Sequence, residues 1–98
     1  MTFEDFYKKN IKQIDRTEQD KQIIDEYNIE LIDSIIKINI NYISDENKYE
    51  VFLCVIDNKY TKCVSNLLIK LFNNKEDAYS YFNELKNINT LEQLDKKI

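Results

Sequence analysis

Apolar and polar positions along the chain fall into two rhythms. Phe3, Phe6, Tyr7, Ile11 and Ile14 recur at helical steps, one face of a helix. Ile23, Ile24, Tyr27 and Leu31 repeat that spacing, as do Ala78, Tyr81, Phe82, Leu85 and Ile88, and then the shorter set Leu91, Leu94 and Ile98. Each set follows a short polar residue with an acidic or amide residue three positions on: Thr2/Asp5, Thr17/Asp20, Asn74/Asp77 and Thr90/Gln93. A side-chain oxygen at the first position caps amide groups that a helix start leaves unbonded, so each pair reads as an N-terminus. The spacing therefore predicts four helices, two near each end of the chain.

Between them the period becomes two. Ile36-Lys37-Ile38-Asn39-Ile40-Asn41-Tyr42 alternates as a half-buried strand does. Tyr49–Ile56 is nearly all apolar and suits a central strand, and Thr61–Phe72 makes a third. Asp57-Asn58-Lys59 supplies residues that tolerate left-handed backbone where glycine is missing. The passage from the second helix to the first strand falls within 28–34. The expected fold is α+β, a three-stranded antiparallel sheet with two N-terminal and two C-terminal helices, in the order α-α-β-β-β-α-α. It forms a single compact domain over residues 1–98, with helices on one face.

Register follows from loop length. An even loop over Ser44–Asn47 sets Ile36, Ile38, Ile40 and Tyr42 opposite Val55, Leu53, Val51 and Tyr49, a core face that Val64 and Leu68 join. A two-residue turn at Asn58-Lys59 would place Cys54 directly opposite Cys63. The ordinary reading is two small buried thiols, and the sharper one a redox-sensitive pair. The other face mixes Lys37, Asn39, Asn41 and Glu50 with Phe52, Cys54, Ile56, Cys63, Leu67, Ile69 and Leu71, too apolar for a solvated face. Phe52, Ile56 and Leu67 are therefore candidates for a partner or homodimer interface. A one-residue slip in either loop would exchange the faces.

Composition narrows the chemistry. The 98 residues include no Gly, Pro, His or Trp, where ordinary usage would supply roughly a dozen Gly and Pro together. Glycine-rich phosphate loops and imidazole-based catalysis or zinc binding are thereby excluded. Two Cys without His make no zinc site, and Asp45-Glu46-Asn47 lacks the later ligands and turn glycine of a calcium loop. The carboxylates are scattered among lysines at solvent-face spacing, and no Ser, Cys or Lys sits in a recognisable nucleophile setting. No catalytic residue, metal or cofactor is expected. Ile, Asn and Lys make up 40 of the 98 residues, which fits an AT-rich bacterial, phage or mobile-element gene. No apolar run approaches a membrane span, and the acidic, polar start is unlike a secretory signal, so a cytoplasmic protein is expected.

The net charge of −4 lies wholly within residues 1–34, five basic groups against nine acidic, while residues 35–98 carry nine of each. Glu18, Asp25, Glu26, Glu30 and Asp33 would form an acidic helix face. With no basic stripe to neutralise phosphates, nucleic acid is a poor partner and a basic protein a better one. Tyr60, beside a turn, is a further contact candidate, since tyrosine supplies rigid area and a hydroxyl at interfaces.

Helix, three antiparallel strands, helix is the element order of double-stranded-RNA-binding domains. That family's Gly-Pro-x-His loop and Lys-Lys-x-x-Lys helix start have no counterpart, and Asn74-Lys75-Glu76-Asp77 stands where the basic helix would begin. In size, acidity and element order the chain also resembles small anti-CRISPR proteins, which present carboxylates where a nuclease expects phosphates. That resemblance implies a non-enzymatic cytosolic protein inhibiting a basic, nucleic-acid-handling target by stoichiometric contact. The alternatives are a structural or regulatory homodimer through the apolar sheet face, and a plasmid or phage DNA-binding accessory protein with a winged-helix-like domain.

Overall fold

The structure, a computed structural model, describes residues 1–10 and 21–98, with the side chains of Asn66, Leu68 and Ile69 left aside. Its elements are α1 (Phe3–Asn10), β1 (Lys21–Glu30), β2 (Ser34–Ile43), β3 (Lys48–Asp57), β4 (Cys63–Phe72), α2 (Lys75–Leu85) and α3 (Leu91–Asp95). Among the described residues the strands form one antiparallel sheet in the order β1-β2-β3-β4, each strand paired with its neighbour in sequence. The α+β class holds, but the three-stranded sheet and the α-α-β-β-β-α-α order do not.

The correction lies in residues 21–30, where a strand replaces the expected second helix. Ile23 pairs with Asn41 while Asp25 pairs with Ile40, leaving Ile24 as the extra residue of a bulge. Beyond it Asp25, Tyr27 and Ile29 fall into line with Ile40, Ile38 and Ile36. The bulge breaks the two-residue alternation, and Ile23, Ile24 and Tyr27 then mimic a helical repeat. With that helix gone, the helix-turn-helix expectation loses its second member. Ile11, Ile14, the Thr17/Asp20 cap and Glu18 lie outside the described residues.

The other capping predictions fall where expected. Thr2 Oγ1 accepts from the Asp5 amide at 3.2 Å, Asn74 Oδ1 from the Asp77 amide at 2.8 Å, and Thr90 Oγ1 from the Gln93 amide at 3.1 Å. The three helices bury Phe3 and Phe6, then Ala78, Phe82 and Leu85, then Leu91 and Leu94. These join Ile36, Ile38, Ile40, Val51, Leu53, Val55, Val64 and Ile88 in one hydrophobic cluster. At about 25 cal/mol per Å² of apolar area removed from water, this cluster is the main term holding the helices to the sheet.

The β2–β3 register matches the loop arithmetic residue for residue, from Ile36 opposite Val55 to Tyr42 opposite Tyr49. Asn47 takes the left-handed turn position, φ 49°, and its Oδ1 accepts from the Tyr42 hydroxyl at 2.8 Å. The β3–β4 hairpin departs from its prediction. Cys63 pairs with Ile56, not with Cys54, across a loop of residues 58–62. Asn58 is drawn out of the turn: its amide donates to Asp33 O at 3.1 Å and its Nδ2 to Ile32 O at 3.4 Å. The left-handed position moves to Tyr60, φ 58°. The Asp57 carboxylate organises the loop, accepting from the Thr61 amide at 2.7 Å, the Lys62 amide at 3.0 Å and the Thr61 hydroxyl. Further along, Val64 pairs with Val55 but Leu68 with Leu53, so β4 carries two extra residues there. Both departures are steps of two, which leave every side chain on its expected face.

At the end of the sheet nearer the β2–β3 turn, the face away from the helices buries Asn41 and Glu50. Glu50 Oε1 accepts there from Lys21 Nζ at 3.1 Å and from Asn41 Nδ2 at 3.2 Å. None of the described helices is long and apolar enough to cross a membrane.

Candidate interaction surface

Four of the five acidic candidates are described, and they belong to a strand and its turn instead of a helix. Glu26 and Glu30 are exposed on β1, opposite Asn39 and Ile35. Asp25 is half-buried on the helix side, where it accepts a hydrogen bond from Tyr79. Burial and then this contact hold the Tyr79 hydroxyl above its ordinary range. Asp33 is also engaged: its Oδ2 accepts from the Phe3 amide at 2.7 Å. Free amides at a helix start carry partial positive charge, so this carboxylate caps α1 from across the fold. Glu26 and Glu30 are thus exposed, while Asp25 and Asp33 serve the fold.

The β1–β2 connection is tight. The Leu31 amide donates to Ser34 O at 2.8 Å, leaving Ile32 and Asp33 at the tip, and Asn58 holds both their carbonyls from the neighbouring loop. Ile32 is 99% exposed. Most turn tips carry Gly, Asn, Asp or Ser for backbone reasons, and an isoleucine there gains nothing from folding. Beside it opens a groove of about 630 Å³ lined by Glu30, Leu31, Ile32, Asp33 and, from the other side, Thr90, Leu91 and Glu92. The Met1 amine donates to Glu92 at its edge, and this contact with the Thr90 cap holds the Glu92 carboxyl below its ordinary range. Tyr60 is exposed at the tip of the adjacent loop. The same end of the sheet therefore presents Ile32 and Tyr60 together with Glu30, Asp33 and Glu92.

Ile32 and Glu92 were not legible as contact residues. Leu31-Ile32 is a pair of consecutive apolar residues at a strand end, where alternation can bury only one; that was the available signal. Of the interface candidates, Phe52 and Ile56 are half-buried on the face away from the helices, Ile56 beside Ile35. Leu67 packs against the buried cluster, so these three do not make one outward patch. No three His, Cys, Asp or Glu side chains come together as a metal site among the described residues.

No known protein family, no curated protein and no solved structure matches the chain.

Proposed function

We propose that this chain is a non-catalytic cytoplasmic binding protein that engages a basic protein through the turn end of its sheet, in the manner of a stoichiometric inhibitor of a nucleic-acid-handling target. The observation that carries the reading is Ile32, a fully exposed β-branched residue on a tied-down turn, beside a groove bordered by Glu30, Asp33 and Glu92. Interfaces gain most of their energy from a few desolvated anchors, while rim charges steer approach and select the partner. Ile32 and Tyr60 have the character of anchors, and Glu30 with Glu92 that of an acidic rim. Because Asn58 fixes the two tips to each other, little ordering entropy is lost when a partner grips both.

The test is capture of a partner by wild-type protein, followed by its affinity for Ile32→Ala and Glu30→Lys, each checked for native folding. Ile32→Ala is expected to weaken the complex by about tenfold or more. Glu30→Lys should slow association and flatten its dependence on ionic strength. A basic partner bound equally by both variants would sink the proposal. So would recovery of the chain with only itself, which would favour a homodimer through Phe52 and Ile56.

A further inference from the structure

Cys54 and Cys63 lie outside the surface assigned above. Cys54 and Ile56 point to the same side of β3, two residues apart, and Ile56 pairs with Cys63 across the ladder. The two thiols thus occupy diagonal positions on the sheet face away from the helices. Both are free; Cys63 is exposed and Cys54 half-buried. Lys37 stands directly opposite Cys54 on the other neighbour strand, so the three side chains share this face. Diagonal neighbours sit near the outer limit of disulfide spacing. The two extra residues of β4 just beyond Val64 give this hairpin the slack to close the gap.

We propose that Cys54 and Cys63 form a dithiol that a low-molecular-weight disulfide, such as oxidised glutathione, converts into an intramolecular disulfide. Exposed Cys63 loses its proton to solvent and its thiolate attacks one sulfur of the reagent. A Cys63–glutathione bond forms, the reagent's own S–S bond breaks, and one glutathione thiolate leaves and takes up a proton. Cys54 then gives its proton to water and attacks Cys63 Sγ, forming the Cys54–Cys63 bond and expelling the second glutathione. Two protein thiols are oxidised and one small disulfide is reduced to two thiols.

The electrostatics set the order of these steps. The Cys54 thiol is pushed up to about 12, first by burial, then by the charge of Cys63 and a hydrogen bond with it, against the Lys37 ammonium. Once Cys63 is held in a mixed disulfide it carries no charge, so that opposition to Cys54 ionisation disappears while Lys37 remains. The exposed thiol reacts first, and its reaction releases the second.

The experiment exposes the full chain to oxidised glutathione in native buffer, quenches free thiols by alkylation, and reads intact mass and linked peptides. The expected product is a monomer lighter by two hydrogens, retaining no glutathione, with Cys54 and Cys63 in one linked peptide. Cys54→Ser should stop with one glutathione on Cys63. Ring closure should run about tenfold or more faster in the folded chain than in urea, because the sheet holds the reacting sulfurs together. Wild type that accumulates glutathione on Cys63 as Cys54→Ser does, that forms intermolecular dimers instead, or that closes no faster than the unfolded chain, would overturn the proposal.

Discussion

Asp57 is a single side chain that replaces a glycine turn. Its carboxylate gathers two amides and a hydroxyl of the following loop, and the Thr61 hydroxyl, then the Lys62 amide, hold it below the ordinary carboxylate range. A carboxylate whose folded-state pKa is depressed contributes stability above its unfolded pKa, and that contribution disappears as pH falls through the folded value. Asp57→Asn should therefore be less stable than wild type near neutrality and lose less on acidification. The check is the difference in urea midpoint between about pH 6 and about pH 3, which should be smaller in the variant. An equal difference in both proteins would mean that other carboxylates, such as Glu92 and Asp95, set the acid sensitivity. Tyr60 shows the complementary constraint: it holds a left-handed backbone that Asn or Gly adopts more readily, because Asn58, the residue suited to that position, is committed to Ile32 and Asp33.

At the level of elements, α1 depends on a residue far from it in sequence. Asp33 reaches its first turn from the β1–β2 tip, in addition to the local cap from Thr2. Asp33→Ala should cost about 1 kcal/mol and raise hydrogen exchange at the start of α1 while leaving β2 and β3 protected. Loss of protection throughout the sheet would contradict this assignment. How far the elements were legible depended on where the local signal was unbroken. Three capping pairs marked three helix starts because capping needs only residues three apart. Ile36–Tyr42 marked a strand and its buried face because its alternation is uninterrupted, and a four-residue loop fixed its pairing. β1 was misread because the bulge at Ile24 disturbs the alternation, and pairing with β2, which no local pattern records, decides its form. The β3–β4 turn was misplaced because Asn58 answers to a neighbouring turn. The acidic residues were found, but only the fold shows that Asp25 and Asp33 are occupied while Glu26 and Glu30 are exposed.

Across the whole molecule, the helix nearest the start of the chain meets elements from its far half. Lys9 pairs with Asp95 at 2.6 Å and Glu4 with Lys62 at 3.2 Å, while Phe3 and Phe6 enter the common cluster. Exposed ion pairs contribute little, so the burial of Phe6 is the stronger bond between these parts. Phe6→Ala should cost about 3–5 kcal/mol by urea unfolding, against less than about 1 kcal/mol for Lys9→Ala. Similar losses in the two variants would mean that charge, not packing, joins α1 to the rest. The same arrangement bears on how the chain is made. Each strand from β1 to β4 pairs with the segment synthesised just before it, so the sheet can be assembled in step with the ribosome. α1, made first, must wait: its cap arrives with residue 33, its neighbour β4 only after the third strand, and its partner helix last of all. The earliest segment to emerge is thus among the last to find its place, and until residues 91–95 have been added Phe3 and Phe6 stand open to whatever chaperone attends the nascent chain.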